Sequence, residues 1–326
     1  MKIFQIHNKY NFYGGEDAVV DEEAKLLRSK KHNVIQIFRD NKKEIKNISD
    51  KILILKNLSY SNKSKEILIE KFKNYGRPDL VHIHNIFPLW TYSIFELLKE
   101  QNIPVVYTLH NYRIILDKIN LFNKEFKNYG YFKNSSWITH LIFRNMNKKK
   151  FLLNNIDAFI THTKFTRNIF TKNGIDSKKI LVKPNFVQTI PNHFLSIRKK
   201  NNAIYASRLS KEKGILTLLN ASKKINLKLD ILGDGPLKKK INKDNSNIKF
   251  HGNLSRKKVQ KYIRNSKFLI YPSEWYEIFG MTIIEAFNQG TLVLASNTGS
   301  IKSIITDKVT GLLFEPGNTE DLINKI

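Results

Sequence analysis

The chain has 326 residues, 41% of them hydrophobic and 11% aromatic, enough to fill two cores and to exclude wholesale disorder. It contains no cysteine, which excludes disulfides and thiolate metal sites and fits a reducing compartment. Its 56 basic and 28 acidic residues leave a net charge of +28, a field that draws anionic lipid headgroups, nucleic acid or phosphorylated substrates. Residues 101–200 alone hold 18 basic and 4 acidic side chains. The first residues, Met1 to His7, turn polar too soon for a signal peptide, and no run reaches the roughly 18 apolar residues of a spanning helix. A cytoplasmic protein is expected, soluble or peripheral at the inner face of a membrane.

In chain order, the pattern predicts short buried strands at Lys2–Ile6, Val34–Phe38, Leu80–His84, Val105–Leu109, Ala158–Ile160 and Ile180–Val182. Helix-period stretches fall between several of them, at Ala18–Ser29, Tyr92–Lys99 and Phe165–Lys172. Residues 188–202, with Pro191 and the basic run Arg198, Lys199 and Lys200, read as a linker. A second set of strands follows at Ala203–Ala206, Leu227–Leu232, Ile248–His251, Phe268–Tyr271, Leu292–Ala295 and Leu312–Phe314. Helices are predicted near Gly214–Ala221, Pro236–Ile241, Arg256–Arg264 and Met281–Asn288. The expected fold is α/β, with two Rossmann-like doubly wound domains at 1–187 and 203–326. A ligand cleft is expected at the carboxyl ends of both sheets.

Five groups of residues carry chemistry. Tyr13, Gly14, Gly15 and Glu16 lie between the first strand and a helix, where two glycines let the main chain approach a phosphate. His110 directly follows the strand ending at Leu109 and can bind a hydroxyl or a phosphate, or shuttle a proton. In the second domain, Arg208 offers a planar fork to phosphate oxygens, Lys213 a compact charge, and Gly214 a close backbone approach. The turn Gly233, Asp234, Gly235 and Pro236 follows the next strand. Glu277 and Glu285 then flank Gly280, which ends a loop and starts a helix with Met281 and Thr282. Unpaired amides at such a start seat an anion, and two carboxylates beside it can accept hydroxyls, the layout a sugar-nucleotide site needs. His82 and His84 are expected to face opposite sides of their strand and so not to share a metal. There is no Asp-x-Asp metal clamp and no Walker phosphate loop.

Glu277, Phe279, Gly280, Met281 and Glu285, together with Arg208, Lys213, Gly214 and the run from Gly233 to Pro236, resemble the family-4 retaining glycosyltransferases of the GT-B fold. Tyr13 to Asp17, Val81 to His84 and Thr108 to Arg113 are similar to members that assemble bacterial surface polysaccharides. The resemblance implies a transferase that moves a sugar from a nucleotide-diphosphate sugar to a glycan or lipid-linked acceptor, with retention, no metal and no cofactor. Arg208, Lys213, the amides of Gly14 and Gly15, and the start formed by Gly280, Met281 and Thr282 would hold the diphosphate. Glu285 would hold the ribose, Glu277 the donor sugar, and His110 would stand near sugar and acceptor, with Glu277 orienting and not acting as a base.

The resemblance also sets two departures. Members usually carry Gly-Gly-x-Pro-Glu where this chain has Gly299, Ser300, Ile301, Lys302 and Ser303, and they continue past the equivalent of Ile326 with a helix crossing back onto the first domain. The donor domain is therefore expected to be truncated. The partners implied are the nucleotide sugar, its acceptor and an anionic membrane surface, with no nucleic acid. The competing readings are an inactive transferase remnant and a basic nucleic-acid-binding protein that interleaves Tyr129, Tyr131 and Phe132 with Lys133.

Overall fold

The computed structural model describes residues 1–10, 13–57, 60–115, 153–189, 201–241 and 246–326. The chain forms two compact units, each built on one six-stranded parallel sheet. In the first, β1 (Lys2–Lys9), β2 (Asn33–Asp40), β3 (Leu80–Asn85), β4 (Val105–Thr108), β5 (Ala158–Thr161) and β6 (Ile180–Val182) lie in the order β2-β1-β3-β4-β5-β6. Helices α1 (Gly15–Ser29), α2 (Asn41–Glu44), α3 (Ile48–Asn57), α4 (Asn62–Tyr75), α5 (Ser93–Glu100) and α6 (Lys164–Lys172) connect them. The interior strand β1, next to edge strand β2, is buried from Ile3 to Asn8, as parallel strands covered on both faces must be.

The second unit carries β7 (Ala203–Ala206), β8 (Leu229–Leu232), β9 (Ile248–Gly252), β10 (Phe268–Tyr271), β11 (Leu292–Ser296) and β12 (Leu312–Phe314), ordered β12-β11-β10-β7-β8-β9. Its helices are α7 (Ile215–Lys224), α8 (Arg256–Asn265), α9 (Met281–Asn288), α10 (Ile301–Ile304) and α11 (Thr319–Lys325). Alternation along the strands splits the core in two. Ala203, Tyr205, Ile270 and Leu294 pack with Ile215, Leu218 and Leu322 on one face. Ile204, Leu269, Tyr271, Val293 and Ala295 pack with Ile263, Ile283 and Ala286 on the other.

The strand order reverses beside β1 in the first sheet and beside β7 in the second. These are the switch points at which the carboxyl ends of open parallel sheets take ligands. The loops after β7, β8 and β10 leave one edge of one sheet, as the sequence implied. One predicted helix is corrected. Residues 236–241 form a turn and a single 3-10 turn at Lys238–Lys240, because three consecutive lysines give no apolar stripe to bury. Most of the linker at 188–202, and the aromatic and basic run 129–133, lie outside the described residues.

Candidate active site

The loop after β7 is shaped by close backbone contacts. Gly214 has φ +67, and a Cβ placed there would lie 1.7 Å from the carbonyl oxygen of Pro272. Gly233 has φ +127, and its Cβ would lie 2.0 Å from the carbonyl oxygen of Ser207. No other residue fits either position without moving a main chain. Hydrogen bonds then clasp the loops. Leu209 N donates to Asp234 O at 3.0 Å and Glu274 N to Glu212 O at 3.0 Å. The Tyr205 phenol, buried and held well above its ordinary pKa by that burial, donates to Arg208 O at 2.8 Å.

This packing sets the charged groups at the switch point. Lys213 Nζ donates to Glu277 Oε1 at 2.6 Å, and Ser273 Oγ donates to the same oxygen at 2.6 Å. Glu277 is only 7% exposed, so its charge is compensated by these donors and not by water. Beneath it, burial first and then the Glu277 charge push the Tyr271 phenol well above its usual pKa, so it stays a hydroxyl donor. The Arg208 guanidinium is exposed and makes no hydrogen bond among the described residues. The sequence brought Lys213 and Glu277 to the site as separate ligands of phosphate and sugar; the structure pairs them directly.

Gly280 precedes α9, whose first amides, at Met281 and Thr282, have no acceptor within the helix. Thr282 Oγ1 reaches Ala206 O at 3.5 Å, tying this start to the end of β7. Glu285 sits in the second turn of α9, its side chain 12% exposed, and accepts from Arg256 Nε at 3.2 Å. Sequence reasoning missed Arg256, which stands in a helix of lysines and shows no signal of its own. It missed Ser273 too, though that serine lies two residues past the predicted strand Phe268–Tyr271.

In the first unit, α1 opens at the carboxyl end of β1. Gly14 N donates to Asp17 Oδ2 at 2.8 Å, and His7 Nε2 donates to Asp17 Oδ1 at 3.0 Å. The Gly14 amide is therefore engaged by a buried carboxylate. Asn111 Nδ2 donates to Glu16 Oε1 at 3.3 Å, and Arg113 Nη1 to the Tyr10 hydroxyl at 3.1 Å.

Below this edge lies a cluster of imidazoles. The expectation for His82 and His84 is overturned: their ring centroids are 4.2 Å apart on one face of β3, because side chains two residues apart on a strand return to the same side. His84 stacks on His110 at 5.2 Å, and His110 lies 5.4 Å from His162. Glu23, His82 and His84 hold ligand atoms within 4.8 Å of one another, the spacing of a cation site. The Lys183 ammonium already pairs with Glu23, and the Gln5 amide lies 3.0 Å from His84 Nε2. Both occupy what a cation would need.

Burial holds the His82 pKa below its ordinary value and those of His84 and His110 well below it; it brings His162 to about 4. The rings are thus neutral at pH 7 despite nearby Glu23, with Lys183 opposing protonation. Below pH 6.5 the unfolded chain binds protons that the folded chain refuses, so stability is full above 6.5 and falls with acid. For His162 alone, the window from 6.5 to about 4 corresponds to about 3 kcal/mol. Melting followed by circular dichroism is expected to show Tm dropping steadily from pH 6.5 to 4; a flat profile would contradict neutral burial of the cluster.

Residues 13–189 match the family profile described as Glycosyltransferase Family 4, and residues 187–326 match that of Glycosyl transferases group 1. An uncharacterized glycosyltransferase of Methanocaldococcus jannaschii is 27% identical over 100% of this chain and 87% of its own. A lipopolysaccharide 1,2-N-acetylglucosaminetransferase of Salmonella typhimurium is 32% identical over 38% of this chain and 37% of its own. Among solved structures, sucrose-phosphate synthase from Thermosynechococcus elongatus superposes with a TM-score of 0.73 at 18% identity, covering 99% of this chain and 88% of that one. The HepE protein of Anabaena in complex with UDP and glucose gives 0.66 at 17%, over 99% and 88%. Two parallel six-stranded sheets with their switch-point loops, and matches running from residue 13 to the last, lead to one conclusion: the chain belongs to glycosyltransferase family 4 and has the GT-B fold.

Proposed function

We propose that the protein is a retaining glycosyltransferase that takes its sugar from a nucleotide-diphosphate donor and needs no metal ion. The observation that carries this reading is the Gly214 turn, which sets Lys213 against buried Glu277 while Arg208, in the same loop, keeps its guanidinium uncommitted among the described residues. Arg208, Lys213 and the first amides of α9 are assigned to the diphosphate, whose growing charge as leaving group they stabilise. Fixed cations take the place a divalent ion would otherwise fill. Glu277, locked by Lys213 and Ser273, orients the donor sugar. A phosphate oxygen of the leaving group takes the acceptor proton on the face it vacates, so retention needs no carboxylate nucleophile.

Glu285 is assigned to the ribose hydroxyls, with Arg256 fixing its carboxylate. Glu285→Ala is expected to raise the donor KM about tenfold, the loss of one charged hydrogen bond, with kcat little changed. An effect confined to the acceptor KM would remove the ribose role. Saturation-transfer NMR with UDP-, GDP- and ADP-sugars tests the donor class directly: enhancement of ribose and sugar protons by one nucleotide family is expected, and none from any would sink the reading.

The acceptor is assigned to glycans or lipid-linked saccharides of a bacterial surface polysaccharide, at the cytoplasmic face of a membrane. No helix among the described residues is long and apolar enough to cross a bilayer. On α3, however, Ile48 and Ile52 share a stripe and are 73% and 49% exposed, with exposed Lys51 and Lys56 beside it and Lys42, Lys43 and Lys46 just before. An apolar stripe bordered by lysines suits the surface of an anionic bilayer. Co-sedimentation with phosphatidylglycerol vesicles is expected to exceed that with phosphatidylcholine severalfold and to fall on Ile52→Glu. Equal binding to both lipids would speak against the membrane assignment.

A further inference from the structure

The imidazole cluster contains an ordered hydrogen-bond chain with a fixed direction. It begins at Arg28, whose guanidinium has donors only. Arg28 Nη2 donates to Val34 O at 2.9 Å and lies 3.5 Å from Gln36 Oε1, which sets the Gln36 amide with its nitrogen pointing onward. Gln36 Nε2 donates to Gln5 Oε1 at 3.0 Å, so Gln5 presents its own Nε2 to His84 Nε2, at 3.0 Å. Two donors cannot face each other, and His84 Nε2 must therefore carry the lone pair. Its proton then sits on Nδ1, from which it donates to His110 Nε2 at 2.9 Å. By the same rule His110 Nε2 is the acceptor, and the His110 proton sits on Nδ1.

The geometry points to a positioning relay, Arg28 to Gln36 to Gln5 to His84, that locks His110 in its Nδ1–H tautomer as a fixed hydrogen-bond donor for the transfer reaction. The Gln5–His84 link is buried, with the two residues 0% and 1% exposed, and both imidazole rings are neutral because burial keeps them so. Reversing the chain would turn both glutamine amides and set the Gln36 nitrogen against the guanidinium, which cannot accept. Glu23 Oε2 is the competing acceptor, but at 3.5 Å it lies farther from His84 Nε2 than the Gln5 amide does at 3.0 Å, and the Glu23 carboxylate is paired with Lys183 through Oε1. His110 Nδ1 meets no hydrogen-bond partner among the described residues, so the donor is left for a ligand. Free neutral imidazole prefers the Nε2–H form, and the relay inverts that preference. The positioning role rests on His110 acting in sugar transfer; the tautomer itself does not.

Nitrogen-15 NMR of histidine-labelled protein at pH 7 tests the tautomer without any substrate. Protonated Nδ1 and bare Nε2 are expected for both His84 and His110; a proton on Nε2 of His110 overturns the proposal. Gln5→Leu removes the donor to His84, and the His110 signals are expected to move toward Nε2–H, with kcat reduced about tenfold and donor KM nearly unchanged. Gln36→Leu, at the half-buried second member of the relay, is the variant to read if Gln5→Leu does not fold. His110→Asn keeps an amide N–H close to the Nδ1 position, so adding Gln5→Leu to it should cost nothing further. A full additional loss in that double variant would reduce Gln5 to a packing role. A wild-type rate in His110→Leu would remove His110 from the reaction and overturn the positioning role, with the spectra then reporting the tautomer alone.

Discussion

Arg208→Ala is expected to lower kcat about 10²- to 10³-fold with Tm unchanged, whereas Lys213→Ala is expected to lower both. The difference follows from what each cation touches. Arg208 is exposed and makes no hydrogen bond among the described residues, so removing it leaves no buried partner exposed to an unmet charge. Its loss is felt when negative charge builds on a leaving phosphate, where one fixed donor is worth about that factor. Lys213 instead carries the charge that lets Glu277 stay buried, 2.6 Å away. Stripping one member of a buried pair costs up to about 3–5 kcal/mol, and the 23% exposure of the Lys213 side chain places this case toward the lower end. Lys213→Ala combined with Glu277→Gln should recover much of the lost Tm without recovering activity, since the orphaned charge is gone but the cation is still missing. Stopped transfer assays and calorimetry on the same preparations check both halves. An Arg208→Ala enzyme that turns over normally would end the phosphate assignment.

The fold was legible because its signals are local. Buried parallel strands are short apolar runs such as Val105–Thr108 and Phe268–Tyr271, and the glycines that punctuate them fall at strand ends. The order in which charged loops follow those strands then places Arg208, Lys213 and Glu277 on one sheet edge, since every strand runs the same way. What was not legible depends on partners distant in sequence. The pairing of Lys213 with Glu277 spans 64 residues, and that of Arg256 with Glu285 spans 29. Nothing in either residue's neighbours marks it as paired and not solvated. Engagement of the Gly14 amide by Asp17 was equally invisible, because a glycine pair before a helix reads the same whether its amides face a ligand or a side chain.

The histidines teach a different lesson. His82 and His84 share one face of β3 and not opposite ones, and that shared face is what creates the cluster with Glu23, His110 and His162. Period 2 alone was enough to find it. The relay through Gln5 and Gln36 has no comparable signature: two glutamines on neighbouring strands become a directed chain only once β1 lies between β2 and β3, pairing Gln5 with Gln36 on one side and His82 on the other. A switch-point strand is therefore both the floor of the site and the carrier of its proton order.

Gly214→Ala should be the most damaging single-methyl change in the second unit. At φ +67 the added Cβ costs about 1–2 kcal/mol in backbone energy before any contact is counted. It would also stand 1.7 Å from Pro272 O and 2.6 Å from Pro272 C, atoms of a main chain that cannot rotate away. Relief requires the loops after β7 and β10 to separate, and these are the loops joined by Glu274 N to Glu212 O and by Lys213 to Glu277. Stability and donor binding should thus fail together, with donor KM rising in step with the fall in Tm. Gly14→Ala is the control: φ there is −130, and the nearest atom to the new methyl is Asp17 Oδ2 at 3.8 Å. Its effect on stability should stay within about 0.5 kcal/mol. Calorimetry of the two variants side by side decides the matter. If Gly214→Ala melts where Gly14→Ala does, the backbone approach that places Lys213 against Glu277 is not what holds the donor loop.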